Sequence, residues 1–396
     1  MKLKIHHILL FGLMIRIVFL LFADHKLIYD EIGYFQLAEH FTKNLDFNIQ
    51  PWDTYRTPGY PLFVSLIFSI FGINPMMVYF FQILLSLGSI YTVYLIGKEL
   101  FNEKIAIIAA LILSFEPDHL FFTYSLVTDT LFVFTLLLTT LFFIRHKWIT
   151  SAILMGICML IKPIAIYLPL IFSGISNRHK PATLFIVLSY AIICPWIIRN
   201  KIKYDHFRYT SITGQNLLNY NIALTKKRTE GISFAQAREE LKVEYTENPF
   251  EYSNIQAKAA VNYIKNHKWE YLTEHLSGIF RMYSSMNYKH FAGRFFGVKN
   301  QEDIYGNFSI NPARAFKNPV LLGTCIYYFL FTLTCYLFAL RGAISIFKRK
   351  QYFPLLIILL MIVYFSFITG PVGSYRYKLY ISPLYILLAS FSIINQ

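Results

Sequence analysis

Apolar positions fill this chain in long unbroken blocks, and polar ones are confined to short joints between them. Ten blocks, at about 5–22, 76–96, 105–115, 124–144, 148–162, 164–176, 182–198, 319–341, 353–369 and 379–394, are read as spans; several approach the roughly 20 residues a helix needs to cross a bilayer, and several are shorter. The pattern predicts an all-α polytopic membrane protein with about ten transmembrane helices. One further segment is set apart. The segment "RTPGYPLFVSLIFSIFGINP" (56–75) holds an apolar core of about a dozen residues between proline–glycine breakers, which suits a helix laid along the outer surface.

The only long polar region, 199–318, carries amphipathic stretches. In "QAKAAVNYIKNHKWEYLTEHLSGIFRMY", Ala257, Ala260, Val261, Ile264, Trp269, Leu272, Leu276 and Phe280 recur at helical spacing. The expected organisation is therefore a membrane module (1–198) with a first outer loop (23–75), an outer helical region (199–318) and C-terminal transmembrane helices (319–396).

Composition agrees with this. Of the 396 residues, 56% are hydrophobic and only 15% charged, where soluble domains carry about 25% charged. The net charge of +15 does not mark a nucleic-acid binder, because the basic residues sit in short clusters between apolar blocks. Lys2 and Lys4, Lys98 and Lys104, Arg145 to Lys147, Arg178 to Lys180, Arg341 and Lys348 to Lys350 all fall on one side of the membrane if the N-terminus is cytoplasmic, as the positive-inside rule expects. The first apolar block is read as a retained helix, since no small-residue cleavage site follows it. The four cysteines (Cys158, Cys194, Cys325, Cys335) lie inside apolar blocks and show neither metal spacing nor a disulfide framework. No nucleotide-binding glycine loop, HExxH or GxSxG sequence is present.

Acids and cations collect on the opposite, outer side. Asp30 and Glu31 follow the first block. On a helix over 28–42, Asp30 would share a stripe with Tyr34, Leu37, Ala38 and Phe41. Two readings of Asp30 stand: an acid favoured by the dipole at a helix N-terminus, or a partly desolvated general base of raised basicity. Asp129 lies within an apolar block, where an acid is costly. Glu116-Pro-Asp118 sits at a span end and could meet sugar hydroxyls or a divalent metal, although two carboxylates alone are a weak metal signal. Arg56, Lys162, Arg199, Arg376 and Lys378 lie near predicted outer span ends. They suit either snorkelling at the interface or a grip on phosphate.

At this point the chain resembles a known family. The stretches "YDEIGYFQLA" (29–38), "YRTPGYPLF" (55–63), "EPDHLFFTYSLVTDTLF" (116–132), "GICMLIKPIAI" (156–166), "CPWIIRNKIKYDHF" (194–207) and "YRYKLYISPLYILLA" (375–389) occur in the order seen in lipid-linked-sugar glycosyltransferases of the GT-C superfamily. Within it, the nearest likeness is to the protein O-mannosyltransferase-like group (family 39) and the lipid A aminoarabinose transferases. The resemblance implies a GT-C helix bundle with juxtamembrane helices in the first outer loop. It implies a polyprenyl-phosphate sugar as donor, and attack of an acceptor hydroxyl on the anomeric carbon with inversion.

By the same resemblance Asp30 matches the catalytic acid and Glu31 its neighbour. Asp129 falls where relatives have an acid after Thr or Ser. Arg199 and Arg376 match positions facing the lipid phosphate, and Lys162 a Lys-Pro or Arg-Pro position. Arg56, Tyr60, Tyr375 and Lys378, in the same motifs, join the phosphate-binding set. Arg56-Thr57-Pro58 departs from the commoner Arg-Pro-Pro. A large soluble C-terminal domain is missing from the sequence, which favours a glycan or lipid acceptor over a protein.

The expectation is thus an integral-membrane glycosyltransferase of a bacterial inner membrane. Its site would lie on the periplasmic face and its partners would be the bilayer, donor and acceptor; no cofactor is assigned beyond an optional divalent metal. The alternatives are a lipid-linked glycan flippase and a polymerase or ligase using a diphosphate donor.

Overall fold

A computed structural model describes residues 4–175, 179–298 and 318–395. Lys2, Arg178 and residues 299–317 of the expected outer region lie outside them. Among the described residues every regular element is helical. The membrane module opens with α1 (Ile5–Phe22), α2 (Asp30–Asn44), α3 (Trp52–Tyr55), α4 (Gly59–Phe71) and α5 (Pro75–Leu100). It continues with α6 (Glu103–Ser114), α7 (Pro117–Thr123), α8 (Asp129–Ile144), α9 (Trp148–Ile161), α10 (Leu168–Ile175) and α11 (His179–Tyr204). Six shorter helices follow: α12 (Ile212–Asn216), α13 (Ala223–Glu230), α14 (Phe234–Glu240), α15 (Pro249–Asn266), α16 (Lys268–Ser284) and α17 (Tyr288–Phe296). The chain returns to the bundle with α18 (Pro319–Lys348), α19 (Tyr352–Ile368) and α20 (Tyr375–Ile394).

Each of the ten expected spans falls on a helix. Five of these helices (α1, α5, α11, α18 and α20) are long and apolar enough to cross a membrane, six if α6 and α7 form one span bent by 58°. Three of the others, α8, α9 and α19, are 10–17 residues long. At about 1.5 Å per residue the longest reach some 25 Å, short of a hydrocarbon core of about 30 Å.

Two expectations about boundaries are corrected. The joint between the 105–115 and 124–144 blocks is helical, because Pro117 starts α7 and the Glu116 carboxylate caps it by accepting from the His119 N–H. Asp129 is the first residue of α8, not an interior one.

Helix α20 forms the axis of the bundle. Its apolar window is 83% buried, against 17% for α1 and 22% for α18, so it is apolar all round because protein surrounds it. It packs on α18, α6, α19 and α16. At one end of the bundle Arg145 meets Glu99 at 2.8 Å and Arg349 meets Asn395 at 2.7 Å, which gathers the described basic joints. The N-termini of α8 and α20 lie together at the other end, joined by Arg376 and Asp129.

The polar region builds a small core of its own from Leu218, Ile222 and Ala260. The boundary expected at 198 falls inside α11, which runs on to Tyr204.

Candidate active site

Three helix starts and one helix end meet at a single cluster. Asp30 opens α2, Asp129 opens α8, Arg376 sits in the first turn of α20, and Lys162 ends α9. The Arg56 loop is pressed against α9: Thr57 Oγ1 donates to the Ile161 carbonyl at 3.1 Å. A Cβ on Gly59 would stand 2.6 Å from the Leu160 carbonyl carbon, so only glycine allows that approach.

These starts produce a ladder of alternating charge. Arg56 Nη2 donates to Asp30 Oδ1 at 2.7 Å, and Arg376 Nη1 to Asp30 Oδ2 at 2.8 Å. The same guanidinium reaches Asp129 Oδ2 through Nη2 at 2.7 Å and Asp129 Oδ1 through Nε at 3.0 Å. Lys162 Nζ donates to Asp129 Oδ1 at 3.0 Å, and the Tyr380 hydroxyl to the same oxygen at 2.6 Å. Asp129 is 0% exposed at one end of the ladder, while the Asp30 side chain keeps 41% of its surface and Arg376 26%. The ladder is therefore open at Asp30 and Arg376 and closed at Asp129. Three cations against two carboxylates leave it with one net positive charge.

Aromatic faces hold the cations. The Arg56 guanidinium lies 4.5 Å from the Tyr34 ring and 5.2 Å from Tyr55, and Lys162 lies 4.9 Å from Tyr380. Burial alone would raise the Asp30 carboxyl, but Arg56 and Arg376 outweigh it and hold Asp30 below the usual carboxylate range. Of the two sequence readings of Asp30, this runs against the one with raised basicity.

Glu31 turns the other way. Its Oε1 accepts from Arg294 Nη2 at 2.7 Å and its Oε2 from the Ile28 N–H at 3.0 Å, with both side chains of the pair 4% exposed. Burial pushes its carboxyl up, while Arg294 and the amide pull it back.

The other expected residues stand around the ladder. Tyr60 is fully buried behind Tyr34, its hydroxyl donating to Gln82 Oε1 at 2.9 Å. Tyr375 carries its ring 6.3 Å from His290. Burial, with Arg294 and Lys289 nearby, pushes the His290 imidazole down to about 4, so it is neutral near pH 7. Arg199 belongs to a second cluster, where it and Lys203 meet the buried Asp53 at 3.3 and 2.9 Å.

Lys378, two residues from Arg376, faces the opposite acids: its Nζ donates to the Ser285 carbonyl at 3.0 Å and lies 3.7 Å from Asp118. Tyr328 donates to the other Asp118 oxygen at 3.2 Å. Glu116 and Asp118 thus have a lysine as their neighbouring cation. Among the described residues no group of three or more His, Cys, Asp or Glu side chains could hold a metal.

Tyr34, Tyr380, Arg294 and Asp53 were not singled out as site residues from the sequence. Tyr380 had a signal, since it follows Arg376 by four positions and so shares its helix face. Arg294 had none, lying 263 positions from Glu31.

Comparison with known proteins agrees with this architecture. A family profile described as dolichyl-phosphate-mannose-protein mannosyltransferase matches residues 55–198, which include Arg56, Asp129 and Lys162. The oligosaccharyltransferase AglB of Archaeoglobus fulgidus, in complex with an inhibitory peptide and a dolichol-phosphate, is 15% identical. It aligns with a TM-score of 0.56 over 99% of this chain and 50% of its own. The apo form of the oligosaccharyltransferase from that organism aligns at 14% identity and 0.54 over 100% and 50%. ArnT from Cupriavidus metallidurans, bound to undecaprenyl phosphate, aligns at 12% identity and 0.46 over 97% and 77%. The chain spans about half the length of the archaeal enzyme. No curated protein matches it. The likeness to the archaeal enzyme is one of fold, and the family profile covers the part of the chain that runs from α3 into α11.

Proposed function

We propose that this protein is an inverting glycosyltransferase that moves a sugar from a polyprenyl-phosphate donor to an acceptor hydroxyl at the outer face of the membrane. The observation that carries this reading is the ladder: its single surplus positive charge is matched by a phosphate, and its open end presents a carboxylate beside an arginine.

Arg376, supported by Lys162 and Arg56, takes the donor phosphate by charge-assisted hydrogen bonds. The acceptor oxygen then attacks the anomeric carbon, and the bond from that carbon to the phosphate oxygen breaks. Its electron pair leaves on the phosphate, and the hydroxyl proton passes to Asp30. Negative charge grows on the departing phosphate, so the cations bind the transition state more strongly than the ground state.

Asp30 is a weak base while two arginines hold it. Once a phosphate draws Arg376 away, that restraint weakens and Asp30 becomes more basic. Donor binding thereby prepares the base. No step of this scheme is routed through a metal. Glu31 stays behind as the partner of Arg294, and Arg199 organises the neighbouring cluster.

Binding of undecaprenyl phosphate to the purified protein tests the reading. Wild type should bind it, and Arg376→Met should lose at least about tenfold in affinity, the loss of roughly 1.4 kcal/mol expected for a charge-assisted contact. Equal affinity of wild type for undecaprenol and its phosphate, or unchanged binding by Arg376→Met, would overturn it.

A further inference from the structure

Helix α16 has one face left exposed among the described residues. Trp269, Leu272, Leu276 and Phe280 are 78%, 45%, 53% and 73% exposed. Their spacing of three, four and four puts them on one stripe. The opposite face is fixed. Glu274 is buried and paired with Arg228 at 3.0 Å and with Arg281. Gly278 lies so close to residues 370–373 that a Cβ there would stand 2.1 Å from the Gly370 carbonyl oxygen. The helix cannot roll its stripe inward without breaking these contacts.

The stripe continues the surface of the membrane bundle. The His275 ring lies 6.2 Å from Phe367 at the end of α19, where Phe367 and Ile368 are 58% and 38% exposed. Exposed Lys265 and Lys268 stand at the N-terminal approach to α16. A tryptophan at the rim of an apolar face flanked by lysines is the composition of a helix lying in a lipid interface.

We infer that α16 is an interfacial anchor, with its Trp269–Phe280 stripe seated in the outer leaflet. The inference stands whether or not the chain transfers a sugar. Its tight contact with residues 370–373, just ahead of the Ser374 cap of α20, ties that seat to the turn carrying Arg376. The depth of α16 in the leaflet would thus set the height of the ladder relative to the lipid headgroups.

Tryptophan quenching of the full-length protein in nanodiscs of phosphatidylcholine and phosphatidylglycerol tests this. The Trp269 signal is the difference between wild type and Trp269→Phe. In discs with brominated acyl chains that signal should be lost, and in unbrominated discs it should resist iodide. Quenching by iodide with no effect of bromine would overturn the proposal. So would protection from both quenchers, which would mean that a second copy (seen as a dimer by size) or another segment of the chain covers the stripe.

Discussion

Two adjacent acids, one peptide bond apart, have opposite surroundings. Asp30 faces the open end of the ladder and Glu31 faces Arg294 in the core. Asp30→Asn should therefore lower turnover with a candidate donor by roughly 100-fold or more, the scale of general-base catalysis, and should also lower the unfolding temperature near pH 7, where its pairs with Arg56 and Arg376 are intact. Glu31→Ala should act on stability alone. It strands a buried guanidinium, which costs about 3 kcal/mol, so the thermal midpoint in detergent should drop by several degrees.

The two arginines also make a pH signature. Because the folded Asp30 carboxyl is held below its unfolded value, its contribution to stability is complete above the ordinary range near pH 4. It is lost as pH falls toward the depressed value. Between about pH 4 and pH 2 wild type should lose midpoint temperature more steeply than Asp30→Asn; parallel curves would show that the pairing is absent. At this scale the residue types were legible, since Asp30, Arg56, Asp129, Lys162 and Arg376 stood out as charges beside apolar blocks. Their partners were not. Arg199 looked equivalent to Arg376, and only the fold gives it to Asp53 instead, because no periodicity encodes a pairing across 146 positions.

Among the elements, glycines decide how near two backbones come. Gly278→Ala must displace either α16 or residues 370–373, and overpacking of this kind costs about 1–3 kcal/mol. Since residues 370–373 lead into α20, the same change should weaken undecaprenyl phosphate binding although it touches no charged group. Gly174→Ala is the control: nothing lies within 4 Å of its added methyl, so thermal midpoint and binding should both hold or rise slightly. Apolar blocks marked the order of the helices well. They missed α7 and began α8 too early, because Pro117 fell in a joint and Asp129 inside the 124–144 block, yet both are first residues of helices in the structure.

On the scale of the whole molecule, charge sorts to the two ends. The described lysine and arginine joints lie at the far ends of α5, α8 and α18, and the ladder lies at the opposite end of α20. This was readable from sequence through the positive-inside rule. The packing that buries α20 was not, because lipid-facing and protein-facing apolar residues look alike in composition. In intact cells lacking Cys194, a cysteine at Lys258 should react with an impermeant maleimide added outside. One at Lys147 should react only after permeabilisation. The opposite pattern would put the ladder in the cytoplasm and end the transferase reading.

The sharing of Arg376 between two carboxylates has a consequence for the end of each cycle. A guanidinium left bare in an emptied cleft would cling to the spent carrier or to any passing anion. In this cleft Asp30 and Asp129 compete for the same nitrogens, so the departing group is exchanged for resident oxygens. On the proposed reading, turnover would proceed by substitution at a single guanidinium, and the resting state would resist inhibition by stray anions.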